Sequence, residues 1–181
     1  MSGFQWWAIA LAATLAGCTV SSTVPLAAGG KPGADRAVIV YGVGVEGKWP
    51  YPRYAVQLAE YSVEQQAITG NCFRFNRVDA IVPATAIGIR YFAFDVAPGS
   101  YVYSPMNGAQ PNGEPVAFRA PAGRAVYLGD FVYGKDGRVT RGGNLDGEKS
   151  AIRQALPAVP DDLTVADTVV VAAPKPFLCA P

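Results

Sequence analysis

The sequence predicts a mainly β protein, an antiparallel β-sandwich with one late α-helix. Three observations carry that expectation. Twenty Gly and fifteen Pro stand among frequent Val, Tyr and Phe, a composition of short strands joined by tight turns. About eight short apolar or alternating runs are divided by turn signals roughly every ten residues. One segment, Asp146 to Leu156, is the best helix candidate, with apolar residues at helical spacing.

Each element has its own reason. Ala37 to Val45 is rich in Val, Ile and Tyr and suits a buried strand. Lys48-Trp49-Pro50-Tyr51-Pro52 is a proline-broken loop. Tyr54 to Tyr61 alternates Val56 and Leu58 with smaller or polar residues and reads as a strand, with Ala59–Ile68 open to a partly helical reading. After a turn at Gly70-Asn71, Cys72 to Val78 reads as a strand with Phe73 and Phe75 on one face. Pro83 forbids a central strand through Ala80–Ala86.

Ile89 to Val96 is the strongest strand, with Phe92, Phe94 and Val96 on one face and Tyr91 and Asp95 on the other. Pro98-Gly99 is expected to form a type II turn, with Ser100–Ser104 returning as the hairpin partner. Met106–Pro115 is a loop of Asn, Gly and Pro. Val116–Ala120 and Arg124–Tyr133 form a second expected strand pair around Pro121-Ala122-Gly123, with a bulge at Gly129-Asp130. Phe131–Arg141 reads as a further hairpin through Lys135-Asp136-Gly137. In the helix Ala151, Ile152, Ala155 and Leu156 make the apolar stripe, Asp146 is the expected cap, and Pro157 and Pro160 stop it. Thr168–Ala172 is the last strand.

The run from Tyr91 through Asp95-Val96-Ala97-Pro98-Gly99-Ser100-Tyr101-Val102 resembles the Pro-Gly-x-Tyr hairpin of small transthyretin-like or carboxypeptidase-regulatory-like sandwich domains. Ala122-Gly123-Arg124-Ala125-Val126-Tyr127-Leu128-Gly129-Asp130 is similar to the strand that follows there. The resemblance implies a sandwich fold and brings no catalytic motif with it.

A second resemblance concerns the N-terminus. Phe4 to Ala16 is almost wholly apolar, with Gln5 and Thr14 the exceptions. It is shorter than the roughly 20 apolar residues of a spanning helix and matches a signal-peptide apolar region. Leu15-Ala16-Gly17-Cys18 then resembles the lipobox of bacterial lipoproteins. No basic residue precedes Lys31, so the α-amino group alone supplies positive charge there. The resemblance implies removal of residues 1–17, lipid on Cys18 and a stable multi-chain anchor. Thr19 stands where inner-membrane retention favours Asp, which points to the outer membrane. Residues 18–36, small and Pro/Gly-rich, read as a flexible tether, part of which can pack on the domain as an edge segment. Residues 37–181 make a single domain.

With Cys18 assigned to lipid, Cys72 and Cys179 remain, and an even pair in an oxidising compartment reads as a disulfide. It closes a loop of about 108 residues, worth about 4–5 kcal/mol by chain entropy.

The chain has no histidine. That excludes Ser-His-Asp and Cys-His catalysis and histidine metal sites within this chain. A net charge of +1 and 16% charged residues give no basic excess for nucleic acid. Gly42-Val43-Gly44-Val45-Glu46-Gly47 is a literal G-x-G-x-x-G, but the prolines after it deny the helix that a nucleotide fingerprint needs. Asn144-Leu145-Asp146-Gly147 resembles the middle of a calcium loop, yet Gly142 and Arg153 occupy the end positions that should be acidic. A looser oxygen site would use Asp136, Asn144 and Asp146. Asp95, Asp130 and Glu114 are the acids available for glycosidase-type chemistry, with nothing to set their separation.

The expectation is therefore a lipoprotein attached to the outer membrane through lipid on Cys18, with no enzymatic activity, cofactor or metal. Its sandwich would contact an envelope protein partner. The alternative is a small-ligand or glycan-binding module using Tyr91, Tyr101, Tyr103, Tyr127 and Tyr133 as an exposed face, together with the loop Met106–Pro115. A carboxylate-dependent hydrolase is the third reading.

Overall fold

A computed structural model describes residues 21–27, 32–47, 49–70, 74–104 and 110–175. The expected lipobox and the three cysteines Cys18, Cys72 and Cys179 lie outside the described residues. In chain order the elements are β1 (Val24–Pro25), β2 (Ala37–Val45), β3 (Arg53–Ser62), β4 (Ala67–Ile68), β5 (Arg77–Pro83), β6 (Arg90–Val96) and β7 (Gly99–Ser104). There follow β8 (Gln110–Pro111), β9 (Val116–Ala120), β10 (Ala125–Tyr133), β11 (Arg138–Gly142), α1 (Leu145–Ala155), β12 (Thr164–Val165) and β13 (Thr168–Val170).

These strands build two sheets with one helix, the mainly β sandwich the sequence predicts. The first sheet runs β1-β6-β2-β10-β11-β8, with β12 also on β10. The second runs β13-β9-β7-β3-β4, with β5 also on β3. Most pairs are antiparallel, but the central β2 and β10 run parallel over seven residue pairs. Between the sheets lies the main core, which includes Ile39, Tyr41, Leu58, Val82, Phe94, Tyr101, Phe118, Leu128 and Tyr133. A second core sits under the helix, where Ile152, Leu145, Val159 and Leu163 cover the outer face of β2 and β10. β2 is therefore buried on both faces, as its unbroken apolar run requires.

Two expected hairpins are crossings instead. β6 pairs with β2 and β1, whereas β7 pairs with β3 and β9. The chain at Ala97-Pro98-Gly99 thus passes from one sheet to the other, and Gly99 does not take the positive φ of a type II turn. Likewise β9 lies in the second sheet and β10 in the first, so Pro121–Gly123 also changes sheets. Proline and glycine mark a change of direction, and that signal does not say which sheet receives the returning strand.

Of the strand expected at Cys72–Val78, Cys72 and Phe73 lie outside the described residues, and the strand found there runs over Arg77–Pro83. Val78, Ala80 and Val82 are buried there, while Arg77, Ile81 and Pro83 are exposed. Pro83 is tolerated because it ends a strand that pairs only with β3. No helix forms over Ala59–Ile68. Tyr61 pairs with Ile68 across a short turn in which Gln66 has φ 51°.

Part of the expected tether packs on the domain as an edge segment. Ser22 N–H and Oγ–H donate to Asn76 Oδ1 at 3.1 and 2.8 Å. Val24 pairs with Asp95, Pro25 with Phe94, and Leu26 N–H bonds the Ala93 carbonyl at 2.9 Å. Ser21–Leu26 is therefore a strap bound to the domain. Its short hydroxyl side chains satisfy backbone and amide groups at the start of β5, and β1 covers the edge of β6.

Candidate functional site: a tyrosine–carboxylate cleft

The irregularity expected at Gly129-Asp130 is present, as a register shift between Tyr127 and Asp130 in the β2–β10 ladder. Gly129 has φ 105°, a conformation that favours glycine, and a Cβ there would lie 2.7 Å from the Gly142 carbonyl oxygen. The bulge turns Asp130 inward until the residue is 5% exposed. Two further glycines make room for it. A Cβ on Gly42 would fall 2.1 Å from Asp130 Oδ1, and one on Gly143 would fall 3.0 Å from Asp130 Oδ2. The first glycine of the G-x-G-x-x-G run therefore serves a carboxyl group, and the next described element after the run is the strand β3.

Two phenols complete the arrangement. Tyr127 O–H donates to Asp130 Oδ1 at 2.6 Å. Tyr91 O–H donates to Glu148 Oε2, which α1 brings over the sheet. Asp130 and Glu148 both line a cleft of about 390 Å³ that also takes in Glu46, Ile89 and Thr140. Burial raises the Asp130 pKa, the Tyr127 hydrogen bond lowers it, and the Glu148 charge raises it again. Burial, then the bond to Glu148, holds the Tyr91 phenol well above its ordinary range. Burial and the bond to Asp130 do the same for Tyr127. The phenols therefore stay protonated near neutrality and act as donors. The cleft supplies acceptors for a cationic or hydrogen-bond-donating group.

A second cavity, of about 240 Å³, opens between the sheets. Phe118, Phe131 and Val139 give it apolar walls, and Gln110, Glu114 and Arg141 give it polar groups. Arg141 also lies over the Phe118 ring at 5.2 Å. The cavity uses Gln110–Pro115 of the loop expected to bind ligand. Tyr103 lines it too, its buried hydroxyl beside that of Tyr133.

The five tyrosines do not form an exposed row. Tyr101, Tyr103 and Tyr133 lie in the inter-sheet core and Tyr127 lies under the helix. Tyr91 alone is half-buried. The rings fill the core while the hydroxyls of Tyr101 and Tyr133 reach the carbonyls of Ala97 and Ala55 at 2.8 and 2.5 Å.

The three expected acids are also dispersed. Asp95 pairs with Arg36 at 2.5 Å, Glu114 lines the second cavity, and Asp130 meets Glu148 instead. Glu148 was legible only as a surface residue of the helix. The Gly142-Gly143 pair comes beside the bulge through the β10–β11 pairing, where Asp130 faces Gly142. The calcium-like residues have local tasks. Asp136 Oδ1 accepts from Arg138 N–H at 3.0 Å, and Asn144 caps the helix by accepting from Asp146 N–H at 3.2 Å. Asp146 is thus not the cap. Among the described residues no group of three His, Cys, Asp or Glu is arranged to hold a metal, and no helix is long and apolar enough to cross a membrane.

No family model, curated protein or solved structure matches the chain.

Proposed function

We propose that the chain is a bacterial outer-membrane lipoprotein, anchored through lipid on Cys18, whose sandwich contacts another envelope protein and catalyses no reaction. The anchor is supported by Leu15-Ala16-Gly17-Cys18 and the apolar run before it. The partner contact is carried by one structural observation. Of the seven large apolar residues exposed among those described, Ile87 (97%), Ile81 (54%) and Tyr51 (49%) lie toward the end opposite the strap, while Val24, Val165, Val169 and Val170 are exposed elsewhere. Single exposed apolar residues are ordinary, but several at one end favour a contact surface. The test places a photo-crosslinking amino acid at position 87 or at position 122 in cells. A discrete adduct at 87, lost when Ile81 is changed to Asp, is the expected result. No adduct at 87, or equal adducts at both positions, would sink the reading.

The small-ligand alternative keeps one support. Its tyrosine face is gone, but Gln110–Pro115 and Tyr103 line the apolar cavity between the sheets. Concave, mainly apolar sites with few polar groups are the usual form of small-molecule pockets. Protection of Arg141 from dicarbonyl modification by an added glycan or small apolar ligand would favour it over the protein-contact reading.

A further inference from the structure

We infer that the domain stands on the bilayer, its strap-bearing pole seated against the lipid headgroups and the Ile87 pole pointing away. The inference rests on the lipobox reading, because it takes Cys18 as the anchored residue.

Four observations lead there. First, the strap is fixed from Ser21 onward. Thr23 Oγ1–H donates to the Arg77 carbonyl at 2.5 Å, and Arg77 N–H donates to Ser21 Oγ at 3.3 Å. Arg36 clamps the strap from the other side, donating to the Ser22 carbonyl at 2.8 Å while its Nε bonds Asp95. Second, the strap has a direction. β1 runs antiparallel to β6, so it enters the domain where β6 ends and leads away from that pole. The pole also carries the Pro121–Arg124 turn, since Gly123 N–H bonds the Arg36 carbonyl at 2.7 Å.

Third, the reach is short. Three peptide links separate Cys18 from Ser21, at most about 11 Å of extended chain. The nine residues of β2 rise about 30 Å from pole to pole. A lipid on Cys18 therefore holds the strap pole near the headgroups while the strap stays bound. Fourth, that pole presents suitable chemistry. Arg124 is exposed in the turn and Arg119 is exposed nearby on β9, neither in an ion pair among the described residues, and the exposed acids Asp35, Asp162 and Asp167 share this end. Such a mixed set of exposed cations and anions can meet both the phosphates and the ammonium groups of lipid headgroups.

The test uses the full lipidated protein, purified from its membranes and added to vesicles of phosphatidylethanolamine and phosphatidylglycerol carrying a headgroup quencher. A fluorescent amino acid replaces Ala122 in one variant and Ile87 in another. Quenching several-fold stronger at 122 is expected, and a Gly/Ser linker of about twenty residues inserted between Val20 and Ser21 should erase the difference. Equal quenching, or stronger quenching at 87, would overturn the seating. Intact mass of the same samples separates the two claims. Lipid on Cys18 with equal quenching removes the seating alone, whereas absence of lipid removes the anchor and the seating together.

Discussion

Around Asp130 a bulge, two missing Cβ atoms and one phenol surround a single carboxyl. Burial raises its pKa above the ordinary value of 3.8. A carboxyl raised in this way supports folding fully while it is protonated in both states, and that support is lost as pH climbs through its folded pKa. At neutral pH the ionised form therefore costs stability. Asp130→Asn keeps the shape and an acceptor for Tyr127, so it should unfold at higher urea than wild type at neutral pH. The gain should shrink toward zero by about pH 4. A gain that grows on acidification would contradict the burial argument. Gly42→Ala tests the same geometry from the other side. Its methyl would meet Asp130 and Ile89 Cγ2, the latter at 2.4 Å, and should cost about 1–3 kcal/mol by urea unfolding. A neutral effect would mean that the cleft yields easily.

The helix and the strap show how one element acts on the next. Ile152 is fully buried and carries α1 onto β2 and β10. Ile152→Ala should cost about 2–5 kcal/mol in chemical denaturation, and a loss below that range would mean α1 is loosely held. Asn76→Ala removes the acceptor for Ser22 and a donor to Glu60. It should speed hydrogen exchange at Leu26 while leaving the β2–β10 ladder protected, and uniform protection would contradict the strap's dependence on Asn76. Elements were legible where the pattern is local. β2, β6, the β10–β11 hairpin and α1 fall within about a residue or two of expectation, the usual scatter of element ends. Partnership was not legible, because Pro98-Gly99 and Pro121–Gly123 reverse the chain equally well within a sheet or between sheets. The cleft was half legible. Gly129-Asp130 announced the bulge, but Glu148 meets it only because α1 folds back over the sheet. The tyrosines misled for a related reason, since alternation along a strand cannot tell an inter-sheet face from a solvent face.

At the scale of the whole molecule, the two sheets share a core and the strap closes one of their edges. The strap and the exposed Ile87 lie toward opposite ends of the strands. Residues 21–26, placed in the tether by composition, are bound to the domain. Cys72 and Cys179 enter the same account as a disulfide formed in an oxidising compartment. The most direct test is the intact mass of protein purified from its own membranes, with and without reductant. The account predicts the mass of residues 18–181 plus acyl chains, rising by two hydrogens on reduction. The full chain from Met1 without lipid would contradict it, and would remove the anchor, the compartment and the seating on the bilayer together.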